Sequence, residues 1–308
     1  MPSARPSTLN RLLAVALLSA TLALGGCGWL APAPSSTSPA ASQTATRTAA
    51  ATSTSSSAGT ESPRPIAKPK PLPKGSKVGT DNVLFEWNFQ RNKKHVVPSI
   101  PPEAKRLAKR YGALYVGPDP KLVYLTFDEG YENGNTHKIL DILKKNAVHA
   151  TFFVTGAYCR EAPKLCKRML AEGHVVGSHS NTHPSMPSLT SNVASFTAQF
   201  TKAEAAFKKA TGKPLTHIFR PPMGDYSAKS LAMTNAAGYR TVFWSFAHVD
   251  YDEKHQPPVP ATISLVLQGS HPAAIYLLHA ISSSDTAALP AIIAGLRAQG
   301  YSFGTLAP

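Results

Sequence analysis

From residue 122 to the C-terminus, short apolar runs alternate with longer amphipathic stretches. The runs at 123–127, 150–154, 175–178, 218–220, 241–244 and 274–278 read as buried strands, and a last strand falls near Phe303. Between them, residues 136–145, 162–172, 191–211, 227–237 and 285–299 carry the wider apolar stripe of packed helices. Strands that alternate with helices predict a parallel sheet with right-handed crossovers, hence the α/β class. About seven such units, with polar residues recurring just after the strands, favour a distorted (β/α) barrel with about seven parallel strands over a doubly wound sheet. In either architecture the chemistry belongs at the carboxyl ends of the strands.

Upstream the pattern changes twice. Residues 83–89 restore aromatic and apolar positions and 102–111 suit a short basic helix, so the folded domain is expected to span 81–308, with 81–121 as an N-terminal extension. Residues 28–80 are Ala, Ser, Thr and Pro without periodicity, first uncharged and then basic, which predicts a disordered linker. A flexible segment of that length reaches about 40 Å. The first 27 residues carry Arg5 and Arg11, an apolar run over 12–24 and then Gly25-Gly26-Cys27. This run is too short to span a bilayer comfortably and resembles a bacterial lipoprotein signal, with Cys27 as the lipidated first residue after cleavage. An ordinary secretory signal with an incidental cysteine is the alternative. The expected location is therefore outside the cytoplasm, lipid-anchored on the cell membrane and facing the wall or periplasm.

Composition sharpens this picture in two respects. Hydrophobic residues make up 43% of the chain, enough for one enzyme-sized core. The formal charge of +15 is unevenly spread: residues 61–118 hold twelve Lys/Arg against four Asp/Glu, whereas 119–308 hold seventeen against thirteen. The basic excess thus sits on the tether and its junction, which suits an anionic wall or membrane surface; export argues against a nucleic-acid partner. The chain is expected to act as a monomer. Apart from Cys27, only Cys159 and Cys166 are present. On one continuous helix they would stand beyond disulfide reach, so a bond requires Cys159 to lie in a loop before Pro163.

Several strand ends carry ionisable groups. Asp128 and Glu129 follow the first strand of the repeat, and His179 and His183 follow the third, spaced one helical turn apart if helical. Arg220 is aimed by Pro221 and Pro222, while Asp250-Tyr251 and His279 follow the next two strands. Singly, each has a bland reading: a solvated acidic turn, a chance histidine spacing, a rigid surface turn, a satisfied core histidine. Their recurrence at successive strand ends is what structural accident does not readily produce.

Together, Thr126-Phe127-Asp128-Glu129-Gly130, His179-Ser180-Asn181-Thr182-His183-Pro184, Arg220-Pro221-Pro222-Met223-Gly224, Asp250-Tyr251 and Leu277-Leu278-His279 resemble the five ordered motifs of NodB-like polysaccharide deacetylases, the family-four carbohydrate esterases. The resemblance covers residues 122–306. Tyr131-Glu132-Asn133-Gly134 and the segments 241–245 and 274–282 look like the branch that deacetylates muramic acid during delta-lactam formation in spore peptidoglycan. It implies the distorted NodB-type barrel and a divalent metal, zinc first with cobalt or manganese as alternatives, held by His179, His183 and Glu129. It further implies Asp128 as base, Arg220 as its partner, His279 as acid and Asp250 orienting that acid. Substrate contacts would come from Met223, Gly224, Tyr226, Tyr251 and Leu277. Glu129 and Tyr251 depart from the family's usual aspartate and tryptophan. The expected activity is removal of N-acetyl groups from peptidoglycan, N-acetylmuramic acid favoured. The alternatives are N-acetylglucosamine or another acetylated polysaccharide, or a glycan-binding lipoprotein that has lost catalysis.

Overall fold

Side-chain alternation along each strand decides which residues meet inside the molecule. In the computed structural model, which describes residues 81–306, the elements run in the order β1 (Phe85–Glu86), α1 (Pro102–Tyr111), β2 (Leu122–Glu129), α2 (Thr136–Lys145), β3 (Thr151–Val154), α3 (Gly156–Glu161) and α4 (Pro163–Ala171). They continue with β4 (Val175–Ser178), α5 (Val193–Thr211), β5 (Thr216–Phe219), β6 (Asp225–Tyr226), α6 (Ala228–Ala236) and β7 (Arg240–Thr241), then α7 (Val259–Gln268), β8 (Ile275–His279), α8 (Ser283–Ala298) and β9 (Ser302–Phe303). The signal, the linker and Cys27 lie outside the described residues.

The parallel sheet has the order β7-β5-β4-β3-β2-β8, with β9 pairing the start of β2. Its two ends are brought together by the chain after β7: Ser245 N–H donates to the Ile275 carbonyl (3.0 Å) and Leu277 N–H to that of Phe246 (2.8 Å). The sheet therefore curls into the distorted barrel that the strand–helix alternation predicts.

Two apolar layers follow from the alternation. Val123, Leu125 and Phe127 of β2, with Phe152 and Val154 of β3 and Tyr276 and Leu278 of β8, face the surrounding helices. The intervening residues, Tyr124, Phe153, Ile218, Ile275 and Leu277, form the interior. Trp87, from the N-terminal extension, packs against that interior, its ring stacked on Phe243 at 4.1 Å and its Nε1–H donating to the Trp244 carbonyl. The extension is thus part of the barrel, and β1 pairs antiparallel with β6 beside it.

The helix expected over 162–172 is α4, and ahead of it stands a helix the sequence did not predict, α3, separated from α4 by Ala162 at φ −120°. Cys159 accordingly lies on α3 rather than in a loop, and both cysteines are buried free thiols; hydrogen bonding to Cys159, then burial, pushes the Cys166 thiol up. Among the described residues no helix is long and apolar enough to cross a membrane.

Gly177 shows how tightly β4 and β5 approach. A Cβ there would stand 2.6 Å from Ile218 Cγ1 and 2.9 Å from its carbonyl oxygen. Gly177→Ala is expected to destabilise the protein by about 1–3 kcal/mol through overpacking, read as a lower urea midpoint with an unchanged slope.

Candidate active site

Each interior row of side chains ends, at the top of its strand, in a polar group. Tyr124 and Thr126 lead to Asp128; Val175 and Gly177 lead to His179; Ile218 leads to Arg220; Ile275 and Leu277 lead to His279. Asp128 and His279 are register partners on adjacent strands. The period-two rule thus gathers residues up to 151 positions apart into one cleft of about 560 Å3, lined among others by Asp128, His179, His183, Met223, Leu277 and His279.

Asp128 is the centre. Its Oδ1 accepts from Arg220 Nη1 at 2.7 Å, and both residues are buried. The guanidinium lies over the Phe153 ring at 4.2 Å and near the Trp244 ring, so its charge is set against π faces and one carboxylate in a dry wall. Burial lowers the Arg220 pKa, but the starting value is high enough that the cation persists.

Asp128 Oδ2 faces His179 Nε2 at 3.6 Å. His179 Nδ1–H donates to the Arg220 carbonyl at 2.9 Å, which fixes the tautomer and leaves a lone pair on Nε2. Burial lowers the His179 pKa to about 4, so the ring is neutral at physiological pH. A carboxylate oxygen and an imidazole lone pair turned towards each other in a buried site call for a cation. His183, whose ring lies 4.8 Å from that of His179, adds a second nitrogen, and burial lowers its pKa as well. Two neutral imidazoles beside a carboxylate form a donor set that fits a divalent metal such as zinc. The two histidines are not on a helix, however. They belong to a bent loop in which Ser180 (φ 70°) and His183 (φ 61°) are left-handed, and Ser180 Oγ accepts from His183 N–H.

On the other side of the cleft, His279 Nδ1–H donates to Asp250 Oδ1 at 2.7 Å and its backbone N–H to Oδ2 at 2.7 Å. Burial alone would lower the His279 pKa, but the hydrogen bond and charge of Asp250 reverse this and hold it above the ordinary value. Asp250 is held low by the same contact, against the upward effect of its own burial. The Tyr251 ring stands edge-on to His279 at 5.8 Å and is exposed at the cleft mouth. Met223, also exposed there, holds a left-handed backbone (φ 59°) after Pro221 and Pro222.

The structure corrects two of the sequence-predicted site residues. Glu129 is still within β2, so its side chain follows Val123, Leu125 and Phe127 onto the helix-facing side, away from the two histidines. There it is fully buried, accepts from Thr136 Oγ1 at 3.2 Å and leaves Oε1 without a partner. Burial, with the nearby charge of Glu132, holds its carboxyl well above the usual range. The expectation of ligation placed Glu129 in a loop, where adjacent side chains can converge. Tyr226 does not reach the cleft either: on β6 it packs against Phe85, Trp87 and Phe243. Gly224 and Leu277 do line it. Sequence reasoning passed over Trp244, His248 and Ile281, which also line the cleft. Tyr131-Glu132-Asn133-Gly134 brackets the rim, with Tyr131 OH and Asn133 Nδ2 donating to Glu253 and Asn133 Nδ2 also to the Ile281 carbonyl.

Residues 116–242 match the family described as polysaccharide deacetylase. A peptidoglycan-N-acetylmuramic acid deacetylase, PdaA of Bacillus subtilis, is 39% identical over 226 residues, which cover 73% of this chain and 85% of that protein. Its solved structure, a family 4 carbohydrate esterase, superposes with a TM-score of 0.70 over 73% of this chain and 96% of that one. A peptidoglycan-N-acetylglucosamine deacetylase of Bacillus cereus is 32% identical over 60% of this chain and 86% of that protein. A Bacillus anthracis pseudoenzyme of the same family is 31% identical, with a TM-score of 0.57, over 63% of this chain and 67% of that one. The chain belongs to the polysaccharide deacetylase family, the family-four carbohydrate esterases, and is a deacetylase.

Two outcomes test the geometry. Arg220→Met, which leaves Asp128 buried and unpaired, should cost about 3–5 kcal/mol, measured by chemical denaturation at pH 7. Glu129, with a folded pKa above its unfolded one, contributes stability that is present below the unfolded value and lost as pH rises. Glu129→Gln should therefore be more stable than the parent at pH 7, with the gain shrinking as pH falls through the ordinary carboxyl range, and its zinc stoichiometry in a dialysis titration should be unchanged.

Proposed function

We propose that this deacetylase hydrolyses the N-acetyl groups of peptidoglycan amino sugars, N-acetylmuramic acid before N-acetylglucosamine, with a divalent metal held by His179 and His183. The observation that carries the reading is the convergence on one cleft of a carboxylate held by a buried arginine, two neutral imidazoles, and a third imidazole paired with a carboxylate. A bound zinc ion would supply a water of lowered pKa and a Lewis acid for the acetyl oxygen. Asp128, kept oriented by Arg220, takes the proton of the attacking water. The Met223 amide, presented by the left-handed turn after the two prolines, donates to the oxygen that becomes negative. His279, charged because Asp250 accepts its Nδ1–H, gives a proton from Nε2 to the departing nitrogen. Leu277, at the floor between Asp128 and His279, packs against the acetyl methyl.

The muramic preference is supported by the higher identity to the protein named for that sugar than to the one named for N-acetylglucosamine, and by the bracket that Tyr131-Glu132-Asn133-Gly134 forms at the cleft rim. The lipoprotein-like signal ending at Cys27 and the long polar linker support action outside the cytoplasm, on the membrane and facing the wall. A binding-only role has a precedent in the pseudoenzyme relative, but here the carboxylate, arginine and both histidine groups stand together.

Glycan strands bearing N-acetylmuramic acid, incubated with the full chain and zinc or cobalt, should release acetate and yield free amines on muramic residues by mass spectrometry. Asp128→Asn should lower kcat/KM by about 10²–10⁴-fold while retaining glycan binding, and His179→Ala should lose the metal. Absence of free amines from the parent chain with either metal rules the activity out. Because the histidine partner of Asp250 has a raised pKa, activity should fall as pH rises through that value, with the imidazolium present below it.

A further inference from the structure

Behind His279 the barrel wall holds two titratable groups that the reaction above leaves unused. Both oxygens of Asp250 are occupied by His279, one by the ring and one by the backbone N–H. Asp285, on the first turn of α8, approaches the same carboxylate. Ligand atoms of His248, Asp250 and Asp285 all lie within 4.8 Å of one another. On its far side Asp285 meets His248, whose Nε2 is 3.2 Å from Oδ2 and 3.1 Å from Oδ1, and His248 in turn lines the cleft. An acid in the first turn of a helix is ordinarily an exposed dipole partner. Asp285 is instead 2% exposed and turned inward, its backbone N–H capped by Ser282 Oγ.

Two carboxylates this close in a dry wall cannot both be charged, so one keeps a proton. Asp250 already accepts two N–H bonds, which stabilise its ionised form. The proton therefore belongs to Asp285, and as an O–H donor to Asp250 it gives a partner to Asp285 Oδ1, which His248 approaches without hydrogen-bonding to it. The other oxygen is left to accept from His248.

We propose that Asp285 and His248 are positioning residues for the proton donor: a hydrogen-bonded chain, His248–Asp285–Asp250–His279, leaves the cleft at one wall, passes through the buried barrel and returns to the cleft at the imidazole it orients. Electrostatics agree with this order. Burial pushes Asp285 up to about 7, and hydrogen bonding to Asp285 raises His248 against the opposing effect of burial. The other charged groups facing the chain are Arg91, near His248, and Asp128 and Arg220, near His279. The role of His279 as donor rests on the deacetylase reading; the chain of hydrogen bonds does not.

The test reads the chain without substrate. In the full-length protein the His279 Nδ1–H, bonded at 2.7 Å to a buried carboxylate, should give a downfield proton NMR resonance, identified by its loss in His279→Gln. Asp285→Ala, checked for folding by thermal denaturation, should broaden or abolish that resonance and move the alkaline limb of the kcat/KM profile. Asp285→Asn, whose amide can still donate to Asp250 and accept from His248, should keep the resonance and leave the limb in place. A resonance and limb untouched by Asp285→Ala, or lost equally with Asn and Ala, would overturn the proposal. So would a second equivalent of bound zinc that disappears in Asp285→Asn, because it would assign the cluster to a cation. If the parent chain releases no amine from any glycan, the catalytic reading falls while the resonance still decides whether the chain exists.

Discussion

The buried pair of Arg220 and Asp128 is the contact on which the cleft depends. A charge placed in a dry wall is costly unless its partner is held at hydrogen-bond distance, and here the partner also carries the chemistry. Arg220 cannot move without leaving Asp128 unpaired, and its backbone carbonyl sets the tautomer of His179. One residue therefore fixes the carboxylate through its side chain and the neighbouring imidazole through its main chain. The aromatic faces of Phe153 and Trp244 take the place of the water that would otherwise solvate the guanidinium.

Much of this arrangement was legible in the chain. The alternation of apolar runs with helical stripes gave the parallel barrel, and the ordered motifs gave Asp128, the two histidines, Arg220, Asp250 and His279 their place at strand ends. Parity along a strand was legible too, but only if the strand end was known: Glu129 reads as a neighbour of Asp128 in a loop and as its opposite in a strand. The pairing of Glu129 with Val154 settles the matter in favour of the strand. Tyr226 was wrongly assigned to the cleft for a similar reason, since its place on β6 is set by pairing with the distant β1. Asp285 carried no motif at all; its burial against Asp250 depends on where α8 begins, three residues after a loop whose course no local pattern reports.

The catalytic loops also carry backbone strain. Among the described residues, six non-glycine positions hold a positive φ, and Ser180, His183 and Met223 are three of them. Such conformations persist only where surrounding contacts over-determine them. Here the Ser180–His183 hydrogen bond secures one loop, and Pro221 and Pro222 secure the other. Asp128, His179, Arg220 and His279 sit at strand ends, while the strained loops present the His183 ring and the Met223 backbone.

The ladder between β2 and β8 has a consequence for how this enzyme could be recombined. The stretch that matches the family, residues 116–242, ends before β8, although Asp128 and His279 are paired across that very ladder. A chimera exchanged at those limits would carry over the base, both imidazoles of the metal pair and the arginine, yet inherit its proton donor from the other parent. Trp87, which packs against the barrel interior from upstream of the match, would stay behind as well. Grafts that respect the folding unit must run from the N-terminal extension through α8, so the smallest exchangeable module is nearly the whole domain.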